Sequence, residues 1–102
     1  MNRYSVYGSI TAQPGKGEEL RGYLLEAARG MEALDSCYCY IVGINEEEPD
    51  VVYVFEVWEN PDSHKASLQL PVFQQLIQKA KPIIAGMNDY PNLTIVGGKA
   101  CF

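Results

Sequence analysis

The sequence predicts one α+β domain in the order strand, helix, strand, strand, helix, strand, with an antiparallel sheet covered by helices on one face. Three observations carry that expectation. Runs rich in β-branched and aromatic residues, with period-two alternation where one face is exposed, fall at 3–11, 37–44, 51–58 and 93–96. Apolar stripes with helical spacing follow the first and the third of these runs. A charged, Pro-containing turn, Asn45-Glu46-Glu47-Glu48-Pro49-Asp50, joins the second run to the third, which is a hairpin signal.

The chain has 102 residues, the size of one domain. Burial in a domain of this size is modest, so self-association is a natural way to cover more apolar surface. The net charge of −5 and the absence of a Lys/Arg run argue against nucleic acid and anionic lipid as partners. No apolar run approaches the roughly 20 residues that a membrane span needs. The N-terminus, MNRYSVYGSI, lacks the basic and apolar regions of a secretory signal, so an intracellular, cytoplasmic protein is expected.

In the first run Tyr4, Val6, Gly8 and Ile10 share one face, while Ser5, Tyr7, Ser9 and Thr11 share the other. Gln13-Pro14-Gly15 ends it. Gly17-Glu18-Glu19 opens a helix with acids suited to its dipole. Leu20, Tyr23, Leu24, Ala27 and Met31 form its single apolar stripe. Gly22 and Gly30 weaken this helix, so it needs the sheet behind it. Asp35-Ser36 marks its end.

The second strand, Cys37 to Ile44, carries Cys37 and Cys39, which a regular strand would place on one face. With Cys101 they make three cysteines, an odd number without a CxxC motif. Reduced, packed thiols are expected, with neither a disulfide framework nor a metal site. The acidic hairpin tip reads as a solvated loop.

In the third strand Val52, Val54 and Trp58 point one way, and Tyr53, Phe55 and Val57 the other. Asn60-Pro61 stops it, and a helical pattern begins after Asp62-Ser63. Pro71 interrupts that pattern and starts a further helix as its first residue, with Phe73, Leu76, Ile77 and Ala80 as the stripe. Pro82 breaks or bends it. Ile83, Ile84 and Met87 are expected in a last helical turn, Leu93 to Val96 in the fourth strand, and Gly97-Gly98 at its end.

This order matches the ferredoxin-like split β-α-β arrangement. Two helices cover one face of such a sheet, yet the third strand is apolar on both. A second copy of the same sheet is the expected cover for the open face, which predicts a homodimer.

The strand-to-helix corner from Val51 to Leu70 is flanked by the only Trp, Trp58, and the only His, His64. Side chains meeting there can point into one cavity between sheet and helix. Trp58 reads equally as a core residue or a pocket wall. His64 reads equally as a functional group or a solvent-facing residue of a first helical turn. Glu56 alternates with Val54 and Trp58, so it is expected in an apolar wall where it needs a partner. A structural hydrogen bond is favoured for it over work as a general base, and it counts among the ligand-contacting candidates.

With fold order and corner together, the sequence resembles the antibiotic biosynthesis monooxygenase superfamily over nearly its whole length. The marks are Gln13-Pro14-Gly15-Lys16 before the first helix, Cys37-Tyr38-Cys39-Tyr40 on the second strand, Glu56-Val57-Trp58 on the third, and His64 to Leu70 (HKASLQL) with Pro71 and Phe73 beyond. The resemblance implies a small dimeric α+β barrel and, among family activities, oxygenation of phenols and quinols with neither metal nor flavin. Relatives degrade haem, and others act on signalling molecules.

Trp58 takes the place of the family's strand tryptophan. The family's usual histidine lies nearer Ser67, whereas here His64 comes six residues after Trp58. Haem-degrading relatives carry an Asn on the first strand, and the nearest position here is Gly8, which lowers the haem reading. The resemblance thus implies a small aromatic substrate and dioxygen, with no cofactor. His64 would accept the proton. Trp58 would offer a flat wall and an N–H, Tyr40 a hydroxyl, and Phe73 the closure of the pocket. The alternatives are a non-catalytic dimeric module that binds an apolar small molecule, and a haem-degrading relative.

Overall fold

Strand β1 (Arg3–Ala12) is the axis of the sheet. In the computed structural model, which describes residues 2–100, it pairs antiparallel with β3 (Val51–Trp58) on one side and with β4 (Ile84–Asp89) and β5 (Leu93–Ile95) on the other. Strand β2 (Cys37–Ile44) pairs with the outer edge of β3, giving the order β2-β3-β1-β4. Helix α1 (Gly17–Met31) and the pair α2 (Pro61–Ser67) and α3 (Pro71–Ala80) lie on one face of the sheet, as a ferredoxin-like α+β fold requires. No helix among the described residues is long and apolar enough to cross a membrane.

The core forms where the stripe of α1 meets the sheet. Leu20 and Val52 are fully buried there with Ala12 and Ala80, and Ile10, Leu24 and Val42 pack around them. Both prolines that open a helix stand at its first turn, Pro61 in α2 and Pro71 in α3. Their fixed φ suits that place, and their missing N–H costs nothing there.

The start of α1 is fixed from the hairpin. The Asp50 carboxylate accepts from the Gly17 amide at 3.1 Å and from the Gly15 amide at 3.2 Å, while the Asp50 carbonyl accepts from Ala12 N–H at 2.7 Å. One residue thus ties β1, the turn and α1 together. Gly15 has φ +81°, and a Cβ on Gly17 would overlap the Pro49 carbonyl oxygen and sit 2.7 Å from Asp50 Cα.

Two sequence expectations are corrected. Ile84 to Asp89 forms strand β4, where a last helical turn through Ile83, Ile84 and Met87 was expected. Pro82 leaves only a 3-10 turn at Lys81–Ile83, and Ile84 adopts φ −90° and ψ 124°. The free edge of β1 then supplies partners that a helical turn could not, an advantage that local spacing does not display. The fourth strand position is consequently shared: β4 pairs with residues 8–12 of β1, and β5, shorter than expected, with residues 3–5. Tyr90-Pro91-Asn92 separates the two, since a proline cannot donate to the ladder.

The second correction concerns the cysteines. A register shift between Cys37 and Cys39 sets Cys37 opposite Trp58 and Cys39 opposite Val57. Trp58 and Val57 alternate, so the bulge sends the two thiols to opposite faces. The Cys37 thiol donates to the Cys39 carbonyl at 3.6 Å. Cys101 lies outside the described residues.

The helix-free face is aromatic. Tyr7 stacks on Tyr90 at 4.8 Å between ring centroids and meets Tyr53 and Phe55 at 6.4 and 6.1 Å. Ile41 is 56% and Leu93 60% exposed on this face, while Val57, Ser5 and Ser9 are buried in it.

Replacing Asp50 by Ala should cost about 1–2 kcal/mol of stability, because it frees two amides at a helix start. Gly17→Ala should cost about 1–3 kcal/mol through backbone displacement. Urea denaturation of the two variants checks both values, and a wild-type midpoint in either would remove the clasp from the account.

Candidate active site

A cavity of about 290 Å³ opens between the helix-covered sheet face and the α2–α3 corner. Val6, Gly8 and Ile10 of β1, Tyr40 of β2, and Val54 and Glu56 of β3 form its floor. His64 and Leu68 enter from the α2 side, Phe73 and Ile77 from α3, and Leu24 from α1. Met87 and Asp89 of β4 complete it.

Local sequence places His64. Asn60 caps α2, its side-chain oxygen accepting from the Ser63 amide at 2.8 Å and the Ser63 hydroxyl at 3.0 Å. The helix then turns inward at His64, four residues on, while the buried Ser67 hydroxyl donates to the His64 carbonyl at 2.6 Å. The imidazole lies between two rings, 5.7 Å from Trp58 and 6.1 Å from Tyr4. Its side chain is only 18% exposed, so it is not the solvent-facing residue that a first-turn position allows.

Of the five candidate residues, Tyr40, Glu56, His64 and Phe73 reach the cavity and Trp58 does not. Trp58 is fully buried behind the wall, on the core side of the two readings the sequence left open. Its indole N–H donates to Glu56 Oε1 at 2.9 Å, so that donor is already engaged. The same bond gives Glu56 the structural partner that its place in the strand required. The other ten lining residues, among them Leu24, Ile77, Met87 and Asp89, were not site candidates in the sequence. Leu24 and Ile77 belong to stripes that read as plain core. Met87 and Asp89 follow from the period of β4, which only its pairing with β1 reveals.

Burial moves Glu56, Tyr40 and His64 toward their neutral forms. It raises Glu56 above the usual carboxylate range, an effect partly offset by the Trp58 N–H. It raises the Tyr40 phenol strongly, and the nearby Glu56 adds to this. It lowers His64 below 6.5. His64 Nε2 and Glu56 Oε1 stand 3.9 Å apart. This contact joins two groups whose charged forms burial opposes. It becomes an ion pair only when the ring takes up a proton.

The site is thus an apolar cavity with a proton acceptor, a carboxylate beside it, and a phenol opposite Glu56 on the adjoining strand. Residues 3–79 match the family model described as antibiotic biosynthesis monooxygenase. The chain belongs to this family. A crystal structure assigned as an antibiotic biosynthesis monooxygenase, from Chloroflexus aurantiacus, is 35% identical, covering 96% of this chain and 97% of that one, with a TM-score of 0.85. The fold is also that of a Caulobacter crescentus protein, 22% identical over 94% and 92% of the two chains, with a TM-score of 0.81. A Pseudomonas aeruginosa protein shares the fold at 16% identity, over 95% and 97%, with a TM-score of 0.85. No curated protein matches the sequence. Membership in the family carries a general monooxygenase-like role.

The single histidine makes its titration simple to follow. Proton NMR of the imidazole should give a pKa below 6.5, since desolvation opposes the charged ring. This shift adds stability above pH 6.5, which is lost as the pH falls through the lowered pKa. A value at or above 6.5 would mean that the Glu56 charge outweighs burial.

Proposed function

We propose that the protein is a cofactor-independent monooxygenase that oxidises a small dihydroxy-aromatic with dioxygen. The observation that carries this reading is the neutral His64 imidazole facing an apolar cavity beside Glu56. A dihydroxy-aromatic needs only a proton acceptor to become an electron-rich anion. His64 accepts that proton, and the imidazolium it becomes is stabilised by the Glu56 carboxylate. The Glu56–Trp58 bond makes Trp58 a positioning residue. Tyr40 offers a hydroxyl to the ring substituents, and Phe73 closes over the ring.

The redox balance closes within substrate and dioxygen. One oxygen atom forms a new bond to the ring, the O–O bond breaks, and the other oxygen leaves as water. The ring gives up the electrons and ends as a hydroxyquinone, so no outside reductant is required. A cavity near the lower end of ligand-pocket sizes suits one ring or two.

Oxygen uptake with a panel of hydroquinones in metal-free buffer tests the reading. His64→Ala should slow uptake by about a hundredfold or more, at near wild-type stability. Unchanged turnover would remove His64 from the mechanism. Ring binding without oxygen uptake in the wild type would instead make the protein a binding module.

The aromatic, helix-free face supports a homodimer as the working form. Tyr7, Tyr53, Phe55 and Tyr90 form an aromatic cluster there, with Ile41 and Leu93 exposed on the same face, and a second copy would cover them. The interface should bury on the order of 2,000 Å² in total. Light scattering at micromolar concentration should return twice the chain mass, and a stable monomer would sink this proposal.

A further inference from the structure

The charged groups of the cavity are nearly of one sign. Two carboxylates line it, Glu56 in the wall and Asp89 at the exposed rim, and its lining among the described residues contains no Lys or Arg. The one base, His64, is held toward its neutral form by burial. The chain as a whole carries −5, which adds a field of the same sign.

The carboxylates stand at different ends. Glu56 pairs with Val6, beside His64 and Trp58. Asp89 pairs with Gly8 from the opposite side of β1, two strands away from Glu56. Two strand spacings of about 4.8 Å and two residues of about 3.4 Å separate their Cα atoms by roughly 12 Å. Since both side chains line the cavity, they bracket a space of single-ring length. Gly8 shapes the Asp89 end: a Cβ there would sit 3.5 Å from Asp89 Oδ1 and 2.8 Å from the Asn88 carbonyl. Its absence lets β4 close in and lays the carboxylate against the cavity floor.

We infer that the site selects its ligand by charge, with Asp89 as the specificity-determining residue. It takes a small aromatic whose end away from His64 carries a hydrogen-bond donor, hydroxyl or ammonium, and refuses the same ring bearing a carboxylate there. The inference rests on the reading of this cavity as the substrate site. An anionic substituent would enter an apolar space facing two carboxylates, with no cation to offset either repulsion or desolvation. A hydroxyl gives Asp89 a donor, and an ammonium gives it a charge-assisted one.

The test is calorimetric binding in anaerobic buffer at pH 7.5, with hydroquinones carrying a hydroxymethyl, an aminomethyl or a carboxylate group. Wild type should bind the first two about tenfold or more tighter than the third. Asp89→Asn, which preserves shape, should narrow that gap to about threefold, with the greatest loss on the aminomethyl compound. A carboxylate compound bound as tightly as the hydroxymethyl one would overturn the inference, as would failure of all three to bind. An unchanged ratio in Asp89→Asn would overturn the role of Asp89. The wild-type ranking stands as a test even if the variant folds poorly. Binding that discriminates by charge without oxygen uptake would sink the oxygenase reading alone, and oxygen uptake without charge discrimination would sink this inference alone.

Discussion

A carboxylate in an apolar wall is costly unless a donor faces it, and the bond from the Trp58 indole to Glu56 meets that requirement at 2.9 Å. The arrangement of the site follows from this contact. The two residues are two apart on β3, so strand alternation delivers both to the helix-covered face. Opposite them, β1 contributes Tyr4 and Val6 at the matching positions, and β2 contributes Tyr40 beside Glu56. Helix α2 must then begin within a few residues of Trp58 for His64 to reach Glu56, and the Asn60 cap with Pro61 sets that start. Loss of the indole donor would leave a desolvated carboxylate in a floor built around it.

The outer half of the sheet answers a different constraint. A ten-residue β1 has two edges to satisfy, and β3 takes one along most of its length. The other edge draws in whatever chain follows α3. That chain, Ile-Ala-Gly-Met-Asn-Asp, has weak strand propensity of its own. Pairing overrides propensity here because an unpaired ladder beside the core costs more than an awkward strand. The result puts Met87 and Asp89 at the cavity, so a backbone requirement decides part of its polarity.

That contrast marks how far the sequence was legible. Although α2 begins at Pro61, ahead of the helical pattern read after Asp62-Ser63, strands β1, β2 and β3, the hairpin, α1 and the helix start at Pro71 all follow from patterns within a few residues. So does the convergence of Tyr40, Glu56, His64 and Phe73, which strand alternation and one short corner bring together. What escaped depends on contacts distant in sequence. Ile83, Ile84 and Met87 fit a helical turn as readily as a strand, and only the free edge of β1 decides between them. The bulge at Tyr38 that separates the cysteine thiols is equally silent, since Cys-Tyr-Cys-Tyr reads as plain alternation. Trp58 lay between core and pocket because its N–H had two possible acceptors, a ligand or Glu56.

The proton balance of the proposed reaction shows why two groups biased toward neutrality suit this cavity. Burial penalises the Glu56 carboxylate and the His64 imidazolium separately, so neither charge alone is well accommodated. Moving a proton from a bound phenol to His64 creates an anion and a cation together. The cation forms 3.9 Å from Glu56, where opposite charges attract by about 4 kcal/mol at an effective dielectric near 20. The cation therefore gains an attraction that the neutral resting ring lacks, which favours proton transfer over the resting state. The Trp58 bond keeps the carboxylate oriented without neutralising it. An empty cavity would then hold His64 neutral and ready to accept, and charge would separate only with a proton donor in place.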